Sequence, residues 1–199
     1  MHGKFTLLVT LVFTFFSLAA NAKIWRVNNN SNYNGSSLWG DNLGGSQNFP
    51  VFAQLNQAND FVSVLSGDTI HVEGSSLNYA AANISKKLVI IGPGYFLDQN
   101  LQVSLQPLKA YIANIIFDPG SDGSQLMGMH VGANNSSMGV RVLANNILIK
   151  RNLIEQSINF STTLVSDTRI VQNYFINSNG TNASAIEVSS STVFPSSVV

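Results

Sequence analysis

Cysteine is missing from the 199-residue chain, so no disulfide can staple the fold and stability has to come from packing. Charge is scarce as well: Asp, Glu, Lys and Arg make up 10% of the residues, ten acidic against ten basic. A nucleic-acid binder carries a basic excess or stripe, so nucleic acid is not an expected partner. Apolar runs long enough to cross a bilayer, roughly 18 residues or more, are also lacking. The longest, residues 5–18, is broken by Thr6, Thr10, Thr14 and Ser17. No zinc spacing, phosphate-cradling glycine loop or nucleophile elbow occurs, which removes the usual sequence signatures of metal, nucleotide and acyl-transfer chemistry.

What is present begins with a leader. His2 and Lys4 give a basic start, residues 5–18 an apolar stretch, and Ala20-Asn21-Ala22 a small-x-small cleavage pattern. Residues 1–22 therefore read as a secretory signal peptide, with a secreted or cell-surface destination and no transmembrane segment after its removal. The remainder is long enough for one domain with a sizeable core. Its polar surface has to come from Asn, Ser, Thr, Gln and Gly, which suits neutral ligands such as sugars.

Residues 23–50 are rich in Asn, Ser and Gly and read as loop, with strand chemistry only in Ile24-Trp25-Arg26-Val27. Phe52, Leu55, Ala58 and Val62 then recur at helical spacing behind Pro50. That spacing predicts an amphipathic helix over residues 51–61, within a capping segment 51–65. From Ser66 the period changes to two, and short apolar runs follow one another, bounded by Gly, Asn, Ser or Asp.

Those runs repeat. NILIKRNLI (146–154) laid on DTRIVQNYF (167–175) puts Ile149 on Ile170, Asn152 on Asn173 and Ile154 on Phe175. Met127 and Met129, then Ile147 and Ile149, then Thr168 and Ile170 form one series at a spacing near 20. Val140 and Val142, Ile158 and Phe160, and Ile186 and Val188 form another. Three short strands per turn of about 21 residues describe one coil of a parallel β-helix spanning residues 51–199. Equivalent residues of successive coils then stack about 4.8 Å apart. Asn152 and Asn173 read as two rungs of an asparagine ladder, bonding backbone groups at a bend that neither strand can pair. The helix covers the N-terminal end of the stack, and the C-terminal end is left open, as in a chain that stops in mid-coil.

The stretch FAQLNQANDFVSVLSGDTIHVEGSSLNY, followed by ISKKLVIIGPGY, resembles the start of many secreted right-handed parallel β-helix proteins of the pectin-lyase-like superfamily. It is similar also to large exported proteins of Bacteroidetes-like bacteria, of which this chain would be a fragment. The resemblance implies the fold and a polysaccharide partner. It does not imply an activity, because fold alone does not decide one.

Candidate chemistry is sparse. Calcium-dependent lyases of that superfamily hold the ion with several carboxylates, and the close acidic pair here is Asp118 and Asp122 in DPGSDGS. Calcium takes six to eight oxygens, so the pair reads as a turn and no cofactor is expected. The remaining carboxylates are scattered, whereas glycoside hydrolysis needs two at a set separation. His71 and His130 should face outward. Aligning the coils places His130 beside Lys150 in one outward lane and Arg169 in the next, a basic strip that could hold an acidic polysaccharide or be no more than a solvated face. The expected function is a carbohydrate-binding or structural module. The alternative is a polysaccharide lyase or glycoside hydrolase whose active-site coils lie partly beyond residue 199. A third class is an adhesin or filament assembled through the open end.

Overall fold

The computed structural model describes residues 22–30, 45–99, 108–132, 138–160, 165–176 and 184–188. All but the last residue of the expected leader lie outside them. In chain order the strands begin with β1 (Ile24–Val27), β2 (Val51–Phe52), β3 (Thr69–Val72), β4 (Ala82–Ile84) and β5 (Val89–Ile91). Next come β6 (Tyr111–Ile112), β7 (Ile115–Phe117), β8 (Gln125–Met127), β9 (His130–Val131) and β10 (Val140–Val142). The last are β11 (Leu148–Lys150), β12 (Leu153–Ile154), β13 (Ile158–Phe160), β14 (Arg169–Val171), β15 (Tyr174–Phe175) and β16 (Ile186–Val188). One short helix, α1 (Leu55–Asp60), lies between β2 and β3.

Every strand pairing is parallel. Sheet I runs β14-β11-β8-β5-β3-β1-β2, sheet II β15-β12-β9-β6 and sheet III β16-β13-β10-β7-β4. From β8 onward the chain visits sheets I, II and III in strict rotation, so the fold is an all-β parallel solenoid. Trp25, Ile70, Ile90, Leu126, Ile149 and Ile170 lie in register as the inward lane of sheet I. Ile112, Val131, Ile154 and Phe175 do the same in sheet II. These inward residues are fully buried as far as Ile149 and Ile154, and only partly so at Ile170, Phe175 and Ile186 in the final coil. Burying one such side chain contributes about 1.5–3 kcal/mol, and in a stack these contributions add from neighbour to neighbour.

The strand expected at Ile24-Trp25-Arg26-Val27 forms as β1. β1 inserts between β2 and β3, and Asp68 ties it down. The buried Asp68 carboxylate accepts the Lys23 N–H at 2.8 Å, the Leu65 N–H at 2.9 Å and the Trp25 indole N–H at 2.7 Å. The helix differs from expectation. Val51 and Phe52 pair with Arg26 and Val27, so their backbone groups belong to a sheet ladder and α1 starts only at Leu55. Gln57 reaches back to the Gln54 N–H at 3.1 Å to close the helix start. The helix packs against β1, β2 and β4, the last being the edge strand of sheet III. Among the described residues no helix is long and apolar enough to cross a membrane.

Coil length is not constant. Asn152 and Asn173 are 21 residues apart, Met129 and Asn152 are 23, and Asn159 and Glu187 are 28. The excess sits at corners, chiefly between sheets II and III. There β12 and β13 are joined by three residues (155–157) but β9 and β10 by eight (132–139). Corner loops absorb insertions cheaply, because loop closure grows only slowly with length.

Candidate functional site

The corner between sheets I and II carries the structural signature of the stack. Gly128, Arg151 and Gln172, one per coil, have φ of 68°, 54° and 56°. This left-handed residue turns the chain so that the next side chain points inward. The asparagines occupy that next position, so the left-handed conformation falls on Arg151 and Gln172 and not on Asn152 or Asn173.

Asn152 is fully buried. Its Oδ1 accepts the Met129 N–H at 3.0 Å, and its Nδ2 donates to Leu126 O at 3.0 Å and to Asn173 Oδ1 at 3.0 Å. Asn173 repeats the pattern one coil on: its Oδ1 accepts the Asn152 N–H at 2.9 Å and its Nδ2 donates to Ile149 O at 2.8 Å. Met129 holds the equivalent place in the preceding coil and ends the ladder in that direction. A second, exposed ladder on the other flank of sheet I is not apparent from spacing. There Asp122 Oδ1 accepts the Asn145 N–H at 3.0 Å, and Asn145 Oδ1 accepts the Ser166 N–H at 2.8 Å. The bond from the Asn145 N–H is the largest influence on the Asp122 carboxyl and helps hold it below the ordinary carboxylate range. Asp122 is thus a tie between coils, and among the described residues no group of three His, Asp or Glu gathers to hold a metal.

The basic strip does not form as expected. Lys150 aligns with Met127 and Val171, and Arg169 with Leu148, all in sheet I. His130 belongs to sheet II, aligned with Tyr111 and Leu153, and is only 8% exposed. The cause is coil length: these two coils are 23 residues apart and not 20, which slips the alignment by three residues. His71 is exposed, as its outward position requires.

A different set of residues forms a groove along the sheet I–II corner. After β5 the chain runs Gly92-Pro93-Gly94-Tyr95-Phe96 and lies against the corner of the next coil. Gly92 N–H donates to Met127 O at 2.8 Å and Gly94 N–H to Gly128 O at 2.9 Å. The two backbones touch: a Cβ on Gly92 would stand 2.5 Å from Gly128 O, and one on Gly128 2.6 Å from Gly92 O. Only glycine permits that approach at both places.

The resulting groove encloses about 670 Å³, with Pro93, Tyr95 and Phe96 on one wall and Met127, Arg151 and Gln172 on the other. Arg151 Nε donates to Gln172 Oε1 at 3.0 Å, which links the two coils at the surface. Among the described residues no carboxylate pairs with Arg151. Phe96 packs edge-to-face on Tyr95 at 4.5 Å and on Tyr174 at 5.3 Å. Phe96 and Tyr174 nevertheless remain 42% and 48% exposed. A cation, an amide and aromatic side chains line this groove, with Tyr174 packed on Phe96 beside it, and such groups are elements of small-ligand recognition. They escape a reading of spacing, because Phe96, Arg151 and Tyr174 come from three separate coils. No protein family, no curated protein and no solved structure matches this chain.

Proposed function

We propose that this chain is an exported right-handed parallel β-helix of pectin-lyase-like character that binds carbohydrate in the groove lined by Tyr95, Phe96 and Arg151, with Tyr174 packed behind Phe96. The observation that carries the reading is the Arg151 guanidinium, hydrogen-bonded to Gln172 in a groove that Phe96 also lines, Phe96 in turn packing on half-exposed Tyr174. The apolar C–H face of a sugar ring stacks on an aromatic face, while its hydroxyls pair with a guanidinium and an amide. The rotation of the chain through three parallel sheets supports the fold assignment, and the basic, apolar, small-residue order of residues 1–22 supports export. Binding is preferred to hydrolysis because hydrolysis needs two carboxyl groups, and none lines the groove among the described residues.

The test is a glycan array followed by titration calorimetry on the best ligand. Retention should weaken about tenfold in Phe96→Ala and in Tyr174→Ala, roughly 1.4 kcal/mol each. If no glycan is retained, or if all three proteins retain it equally, the groove is not a sugar site.

A further inference from the structure

The outer face of sheet II holds a cluster that neither the groove nor the core uses. Tyr111 and His130 stack at 3.9 Å with their planes 25° apart. Glu155, just beyond β12, reaches back over both. Its Oε2 accepts the Tyr111 hydroxyl at 2.6 Å, and its Oε1 lies 2.6 Å from His130 Nε2. One carboxylate therefore ties three successive rungs, β6, β9 and β12. The other imidazole nitrogen, Nδ1, is buried and has no hydrogen-bond partner.

We infer that Tyr111, His130 and Glu155 form a proton-operated latch that clamps sheet II when His130 is neutral and opens when His130 takes up a proton. With His130 neutral, Nε2–H donates to Glu155 and the bare Nδ1 lone pair is tolerated in the buried cluster. A proton from solvent arriving at Nδ1 creates an N–H with nothing to accept it, and an unmet buried donor is costly. Among the described residues the charged groups that act on the ring are Glu155, beyond β12, and Lys109, ahead of β6, and the titratable Tyr111 stacks on it. Glu155 favours the imidazolium, while burial, the largest influence, and Lys109 oppose it. The net effect holds His130 below the ordinary histidine value, the direction that a neutral ring hydrogen-bonded to Glu155 requires. The proton is then best accommodated by turning the ring outward, which breaks the tie to Glu155 and releases Tyr111. The proposal stands independently of any ligand in the groove.

The sign follows from proton linkage. The open form binds the proton with the ordinary histidine value, about 6.5, and the closed form binds it less readily. Closure is therefore complete above that value and weakens as pH falls below it, levelling off beneath the closed-state value. The test is amide hydrogen exchange on the ligand-free protein from pH 8 to 5, expressed as protection factors. Protection at His130, Gly132, Leu153 and Glu155, whose N–H groups bond across sheet II, should fall by up to about tenfold per pH unit below 6.5. Amides of Ile149 and Ile170 in sheet I should not change. His130→Gln keeps a donor for Glu155 and should abolish the pH slope, and Glu155→Gln should move the midpoint further to acid. A flat wild-type profile, or the same slope in His130→Gln, overturns the latch. If the variants do not fold, the wild-type His130 ring signal followed by NMR decides alone. A midpoint below the ordinary histidine value, with Tyr111 ring signals shifting in parallel, supports the latch, and an ordinary midpoint with Tyr111 unmoved refutes it.

Discussion

Replacing Asn152 by alanine removes the side chain that joins three coils. Its Oδ1 is the acceptor for the Met129 N–H, and its Nδ2 serves Leu126 O, Lys150 O and Asn173 Oδ1. The site is closed to water, so Met129 N–H becomes an orphan donor, at about 1–3 kcal/mol. Loss of the donor to the carbonyls adds about 1 kcal/mol more. The expected destabilisation is about 2–4 kcal/mol, a large share of a stability of about 5–15 kcal/mol. Asn173 is more exposed and tops the ladder, so Asn173→Ala should cost about 1–2 kcal/mol. The two side chains share a hydrogen bond, so the double variant should lose less than the sum of the singles, with coupling above about 0.5 kcal/mol. Urea unfolding measures all three, with the midpoint moving and the slope unchanged. A cost below about 1 kcal/mol for Asn152→Ala, or strict additivity, would refute the ladder.

Other outcomes follow from the same geometry. Gly128→Ala meets both a positive φ and the Gly92 carbonyl, so it should destabilise by more than about 1 kcal/mol and weaken any groove ligand together with the fold, as read by thermal melting. Arg151→Val puts a β-branched residue into the left-handed corner, whereas Arg151→Gly relieves it; the two should differ by about 1–2 kcal/mol in that order. Burial alone would raise the Asp68 carboxyl, but the N–H groups of Leu65, Lys23 and Trp25 outweigh it and hold it below the ordinary aspartate value. Its contribution is therefore present above the unfolded value of about 3.9 and lost as pH falls through the folded one. Acid melts should show that loss in the wild type, and Asp68→Asn should already be destabilised at neutral pH with little further change.

Much of the stack was legible because its inward positions carry an unbroken apolar signal. Val140, Ile158 and Ile186 fall on one lane, as do Ile154 and Phe175. The Asn152–Asn173 rung shares that clarity, since the spacing between those two coils has no insertion. Elsewhere the corner loops hide the register. Reading Met127 against Ile147 missed that Leu126 faces Ile149, and the same slip put His130 on the wrong sheet. Val51 and Phe52 looked helical because two residues of strand carry no period of their own, and only pairing with β1 decides them. The groove was illegible for a different reason. Arg151 and Gln172 are neither glycine nor asparagine, so nothing in the sequence announces their left-handed corners, and Phe96 meets Tyr174 only once the coils are stacked.

The most direct test of the stacked-coil account is an NMR measurement on the side-chain amides of Asn152 and Asn173. The Asn152 Nδ2 protons should exchange slowly and show cross-peaks both to Asn173 and to the Leu126 strand. Fast exchange of those protons, or cross-peaks to residues outside the two neighbouring coils, would contradict the superposition of coils on which the groove, the ladder and the latch all depend.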